Sequence, residues 1–184
     1  MVPPPVGEGV QDNCHPYEVW GINSSSAVFR YNYCTKQFLP IANALLAEIA
    51  TGGGDVWGLD IGGGVYHFDF ATQTFVNPVF THLSQITVGV NDMWGLGLAV
   101  DGSFIARYDP STASFGNVKG SLAQIVAGGD GVWGVAPNNE IFRFDPNSNA
   151  FVQVGGALSN ITVGFGAGVF GVNQIDGVYT FVRP

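Results

Sequence analysis

Charge is scarce in this chain. Only 11% of its 184 residues are Asp, Glu, Lys or Arg, and just six are Lys or Arg. The 14 carboxylates leave a formal net charge of −8. A nucleic-acid phosphate backbone is gripped by clustered cations, so nucleic acid is not an expected partner. An anionic membrane surface is disfavoured on the same ground. Long apolar runs are missing as well. No stretch approaches the ~18 uninterrupted apolar residues of a membrane helix, so no membrane insertion is expected. The opening MVPPPVGEGV does not read as a signal peptide. An exported form would therefore already have lost its leader. Catalytic signatures are absent too. His15, His67 and His82 form no ligand pattern such as H-x-x-x-H, and neither G-x-S-x-G nor a P-loop occurs. The Asp-Gly turns lack the dense oxygen ligands of a calcium loop. Neither a metal nor a cofactor is expected.

What the chain has is glycine (27 residues), aromatics (13%) and a 46% hydrophobic share. The apolar share is too high for disorder. A helical bundle would favour Glu, Lys, Ala and Leu, whereas this composition suits short strands and tight turns. The length allows one domain with a real core, taken here as residues 1–184.

The residues repeat. Trp20, Trp57, Trp94, Trp133 and Phe170 each sit in an aromatic-Gly unit: VWGI, VWGL, MWGL, VWGV and VFGV. The spacings are 37, 37, 39 and 37 residues. A second signature follows: VFRYN (28–32), VYHFD (65–69), IARYD (105–109), IFRFD (141–145) and VYTF (178–181). Four copies then carry Phe38, Phe75, Phe115 or Phe151, followed by LAEI, LSQI, LAQI or LSNI. Each copy thus has four short apolar runs cut by Gly, Asn, Asp and Pro turns. Four antiparallel strands in a 37-residue repeat make one propeller blade. A blade packs on a neighbour through both faces, which explains apolar runs in place of a half-buried alternation. One blade cannot bury both faces alone, so the unit must recur.

The expected fold is therefore all-β: a five-bladed β-propeller of four-stranded antiparallel blades, here lettered A to D from the inside out. The last copy stops after its third strand. Residues 1–13 have the length to supply its fourth strand and then the first strand of blade one, closing the ring. The segment PIANALLAEIA (40–50) is read as a loop followed by a strand, because Leu46 and Ile49 fall on Leu83 and Ile86 of the next copy.

The composite pattern [LI]-x-x-I-x-V-G-x-G-x-V-W-G-V-N-x-x-x-x-I-F-R-F-D resembles the tectonin repeat, over residues 14–183 in five copies. LSNITVGFGAGVFGVNQIDGVYTF and VWGINSSSAVFRYN are the nearest matches. Tectonin-type propellers are typically lectins. The resemblance implies binding of cell-surface glycans or lipopolysaccharide without catalysis.

Strand order puts the B–C turns and D–A connections at one end of the ring, and the A–B and C–D turns at the other. The B–C turns differ between copies and are rich in Asn, Asp, Ser and Gly. Variable polar loops on a rigid scaffold are common binding elements. Sugar hydroxyls need convergent donors and acceptors, which Asn23, Asp60, Asp101, Asn138, Asn139, Glu140, Asn173 and Asp176 could supply. The plainer reading is that each is an ordinary turn residue. The repeated Trp reads first as packing between blades. Arg30, His67, Arg107 and Arg143 stand two residues before Asn32, Asp69, Asp109 and Asp145, on one strand face. They are read as a ladder of Arg–Asp pairs. Glu48, Gln85, Gln124 and Asn160 share one register on the innermost strand, where they could line the channel and bond neighbouring blades.

Cys14 falls in the A–B turn of blade one and Cys34 in its C–D turn, at the same end of that blade. A disulfide between them is expected, and with it an oxidising compartment and a secreted or extracellular protein. The functional expectation is a multivalent glycan binder. The alternative is a protein-interaction or structural scaffold. A glycoside hydrolase would need two close carboxylates in one pocket.

Overall fold

In the computed structural model each repeat becomes one antiparallel sheet. The structure describes residues 14, 19–77, 81–99, 102–164, 166, 168–175 and 177–181. Blade one comprises β1 (Trp20–Ile22), β2 (Ala27–Asn32) and β3 (Gln37–Leu45). Blade two comprises β4 (Glu48–Gly52), β5 (Asp55–Leu59), β6 (Val65–Asp69) and β7 (Thr74–Val76). Blade three comprises β8 (Gln85–Val88), β9 (Met93–Ala99), β10 (Gly102–Asp109) and β11 (Ser114–Val118). Blade four comprises β12 (Gln124–Gly128), β13 (Gly131–Val135), β14 (Glu140–Asp145) and β15 (Ala150–Ala157). Blade five comprises β16 (Asn160–Val163), β17 (Val169–Val172) and β18 (Val178–Phe181). Strands pair in chain order within each sheet, and β4, β8, β12 and β16 stand side by side as the inner layer. The strands expected from residues 1–13 lie outside the described residues.

In blades two to five the glycine after the aromatic has a steric cause. It pairs with the Ile of the L-x-x-I run, as in Ile125↔Gly134 and Ile86↔Gly95. The Leu of that run lies over it. A Cβ on Gly58, Gly95, Gly134 or Gly171 would meet a Leu methyl (Leu46, Leu83, Leu122 or Leu158) at 2.3 to 2.5 Å. The two signatures of the repeat are thus two sides of one contact.

The core sits at the seams between blades. Each Trp reaches across to the aromatics of the following blade. Trp20 meets Phe68 and Phe75, Trp57 meets Tyr108 and Phe115, and Trp94 meets Phe144 and Phe151, with edge-on rings. Trp133 packs on Phe181. Trp57, Trp94 and Trp133 are fully buried by these contacts. Edge-to-face aromatic pairs add about 1 kcal/mol each beyond the area they bury.

One expectation is corrected. Residues 40–45 continue as strand β3 instead of forming a loop. The pairing jumps from Phe29↔Pro40 to Ala27↔Leu45, so four residues bulge out. Burial drives the bulge: Ala44 enters the seam between blades one and two, with Ile41 packed against it. Strand β15 bulges at the matching place, with Gly156 at φ 111°.

The C–D turns place a non-glycine residue in the left-handed region at one repeated position: Lys36, Gln73, Ala113 and Asn149, at φ 57°, 56°, 48° and 51°. An L-residue there is disfavoured by Cβ–carbonyl crowding. Ala113→Gly removes only that Cβ and is expected to stabilise the fold by about 1 kcal/mol, read as a higher urea midpoint.

Candidate functional site

The B–C turns are built on side-chain caps. Asn23 Oδ1 accepts from the amides of Ser25 and Ala27 at 2.9 and 3.0 Å. Asp60 Oδ1 accepts from Gly62 and Gly64 at 2.8 and 2.9 Å. Asn173 Oδ1 accepts from Ile175 and Gly177 at 3.1 and 2.9 Å. The Tyr66 hydroxyl donates to Asp60 Oδ2 at 3.1 Å, and that bond, with some burial, pushes its phenol pKa up. Three of the expected ligand residues therefore hold their own turns on three separate blades. Blade four departs from this pattern. Ala136 takes the capping slot, and Asn138 Oδ1 accepts from the Glu140 amide at 3.2 Å instead. Asn139, at φ 68°, closes the turn through its backbone to Ala136 and Leu158. Asp101 and Asp176 lie outside the described residues.

Of the expected site residues, Asn173 lines a largely apolar cavity of about 460 Å³ between blades four and five, and Asn139 reaches a polar cleft. At this end of the ring the inner strands of blades three, four and five leave a polar opening of about 460 Å³. Ser84 and Gln85, Ala123 and Gln124, and Ser159 and Asn160 line it, under Pro137 and Asn139. These pairs hold one register of the repeat. The small residue of each pair donates its amide to a B-strand carbonyl: Ser84 to Leu96, Ala123 to Val135 and Ser159 to Val172, at 2.6 to 2.8 Å. With nothing larger than Ser there, the mouth stays open.

Gln85 and Gln124, with Glu48 in the same register on blade two, tie neighbouring blades, as that register suggested. Glu48 Oε1 accepts from the Ile86 amide at 3.3 Å and Gln85 Oε1 from Ile125 at 3.0 Å. Gln124 makes both possible bonds to Ile161, accepting from N at 2.9 Å and donating to O at 3.2 Å. Asn160, on the last described inner strand, is exposed. An ionised Glu48 can accept but cannot donate. Burial pushes its carboxyl above the ordinary range, and the Ile86 amide opposes this only in part. A raised folded pKa means stability that is present at low pH and lost as pH rises through that value. Glu48→Gln should therefore raise stability near neutrality by about 1 kcal/mol, the net worth of one added hydrogen bond. The gain over wild type should shrink as the pH is lowered through the carboxylate range, as seen in thermal melts at a series of pH values.

The opposite end carries the cationic register, and there the expected Arg–Asp ladder is corrected. Asn32, Asp69, Asp109 and Asp145 turn away from the strand face to cap the C–D turns. Asn32 accepts from Cys34 and Thr35. The Thr72 hydroxyl and the Ala71 amide hold Asp69 below its ordinary pKa. Ser111 does the same to Asp109, and the Ser148 hydroxyl with the Asn147 amide does so to Asp145. Arg30 donates instead to Gln73 Oε1 of blade two at 3.2 Å, and the other three side chains meet an aspartate of the A–B turn. Arg107 reaches Asp92 at 3.4 Å, Arg143 donates to the Asp130 carbonyl at 3.1 Å, and His67 bonds Asp55. Burial of Asp55 raises its pKa, but bonds from His67 and Trp57 and the His67 charge outweigh this and hold it low. The guanidiniums of Arg30, Arg107 and Arg143 lie 5.5, 5.0 and 5.5 Å from the ring centroids of Trp20, Trp94 and Trp133. His67 stacks on Trp57 in the same place, at 4.4 Å. Cross-strand pairing brings them there, as in Trp94↔Arg107. An Asp two or three residues before each of Trp57, Trp94 and Trp133 was the overlooked signal. Among the described residues no group of three or more His, Cys, Asp and Glu could hold a metal ion, and no helix is long and apolar enough to cross a membrane.

Sheets of this kind, ranged side by side about a shared inner layer, define the β-propeller class. Solved structures agree. TolB from Acinetobacter baumannii superposes with a TM-score of 0.65 at 11% identity, covering 89% of this chain and 48% of its own. Prp20p from Saccharomyces cerevisiae gives 0.67 at 11%, covering 88% and 55%. The Crinkly ectodomain of the receptor kinase ACR4 from Arabidopsis thaliana gives 0.57 at 13%, covering 86% and 56%. The chain thus spans about half the length of each. At such identities the likeness speaks for the fold alone. No curated protein sequence matches the chain. The sequence profile of the tectonin domain matches residues 12–183, and the chain belongs to the tectonin family.

Proposed function

We propose that the protein is a non-catalytic, lectin-like binder of cell-surface glycans, the saccharide of lipopolysaccharide included. The observation that carries this reading is the polar cleft at the B–C end. Hydroxyls and carboxamides from three blades converge there. The Ser84 and Ser159 hydroxyls donate to the Leu96 and Val172 carbonyls and keep lone pairs to accept from a sugar hydroxyl, while the Asn139 and Asn160 carboxamides can both donate and accept. Pro137 adds exposed apolar surface for a sugar's C–H face, without an aromatic platform. A single site of this kind is weak, and repetition around the ring supplies avidity. The Cys14–Cys34 bridge supports an oxidising, extracellular setting.

A protein-interaction scaffold is the second reading. It is favoured by the use of Asn23, Asp60 and Asn173 in capping their own turns, and by the differences among the B–C turns. The structural report on Prp20p describes its binding to Gsp1p and histones. A glycan array probed with the labelled protein separates the two. Saturable binding competed by a free monosaccharide supports the lectin. A blank array from folded protein moves the assignment to the scaffold.

A further inference from the structure

We propose that the cleft at the B–C end selects uncharged, hydroxyl-rich ligands and rejects phosphorylated, sulfated and sialylated ones. This rests on the glycan-binding reading and narrows it. The polar side chains lining the cleft are Ser84, Gln85, Gln124, Asn139, Ser159 and Asn160, and none is charged. Serine hydroxyls and carboxamides pair with groups that donate and accept in turn. A phosphate or carboxylate only accepts, and recognition of one calls for Arg or Lys. Among the described residues, no Lys or Arg lines the cleft. Arg30, Arg107 and Arg143 lie over their tryptophans at the opposite end, and Lys36 sits in a C–D turn of that same end. Lys119, on the β11–β12 connection, does not line the cleft.

Among the described residues at this end of the ring, carboxylates outnumber Lys119 and add to the discrimination. Glu140 follows Asn139 directly, Glu48 heads the inner strand beside β8, and Asp60 caps a turn at the same end. An anionic ligand would approach against these and against a net charge of −8. Like charges juxtaposed at an interface weaken binding strongly, and a neutral ligand escapes that penalty. The lipopolysaccharide phosphates are then excluded from the cleft, and only neutral saccharide units enter it.

The test uses the full chain on an array carrying neutral oligosaccharides beside their sialylated, sulfated and phosphorylated counterparts. Neutral members should bind at least roughly tenfold more tightly than their anionic counterparts. Their binding should change little between about 50 mM and about 500 mM NaCl, because no ion pair is screened. Ala123→Trp, at an exposed position inside the cleft, should abolish it while the thermal melt stays cooperative. Ser159→Trp serves the same purpose if the first variant fails to fold. Preference for anionic glycans, or binding that collapses in salt, would overturn the selectivity and leave the lectin reading intact. Neutral binding that survives both Trp variants would overturn the placement in this cleft. Failure to bind any sugar would overturn both.

Discussion

Trp94→Ala is expected to destabilise the protein by about 4 kcal/mol, which is a large share of the total stability of an ordinary domain. Trp94 is fully buried on β9 of blade three, yet most of its aromatic contacts belong to blade four. Phe144 and Phe151 meet it edge-on at 4.6 and 5.9 Å, and Arg107 lies over its face. Val118, Leu122, Ile125 and Val132 complete the cluster. Truncation leaves a hole the size of an indole at a seam held by side chains, which a sheet's hydrogen bonds cannot close. Trp94→Phe should cost far less. The indole Nε1 makes no hydrogen bond with the described residues, so the ring acts by shape alone, and the fifth repeat already places Phe170 in this register. Urea denaturation of the two variants checks the difference. An equal loss in both would mean that the Nε1 group matters after all.

The blades were legible because their determinants lie close together in sequence and recur. The aromatic-Gly unit, the L-x-x-I run and the aromatic strand ends each register one strand against the next, and a pattern repeated at near-constant spacing reports on long-range packing without any alignment. A side chain repeated in register tends to serve the same neighbour, so the tryptophans read as packing residues and Glu48, Gln85, Gln124 and Asn160 as ties between blades. The first three make that tie, and no such bond is seen for Asn160 among the described residues. The cation partners depart from the sequence pattern for a definable reason. Arg107 and Asp109 share a strand face, but the first residue of a tight turn finds nearby amides before it finds a guanidinium, and the turn takes the carboxylate. The bulge at 41–44 was missed because its driving force, Ala44 entering the seam of the next blade, is invisible in the segment itself. The B–C turns show the same limit. Asn23, Asp60 and Asn173 have the composition of a binding loop, and their side-chain oxygens are used to make the loop. The cleft residues Ser84, Ala123 and Ser159 carried no such signal, being small residues inside a strand-forming motif.

Replacing both members of the Cys14–Cys34 pair by serine is expected to cost on the order of 3 kcal/mol, from the entropy of a cross-link spanning 20 residues. The bridge sits where a repeat array is weakest. Blade three is held by described seams on both faces, and blade one by its seam with blade two and by the cross-linked chain that leads into it. Backbone bonds follow the bridge: the Tyr33 amide donates to the Cys14 carbonyl at 2.7 Å and the Tyr31 amide to Val19 at 2.8 Å. Both lie along the segment that the disulfide pins. Where stability is a sum of repeat and nearest-neighbour interface contributions, loss within one repeat need not propagate to a distant one. The double serine variant should therefore lose amide-exchange protection in β1 to β3 first, while β12 to β15 keep theirs, whereas Trp94→Ala should lower protection on both sides of its seam. Uniform loss of protection in the serine variant would show instead that the blades unfold as one cooperative unit, with the first blade as firmly held as the rest.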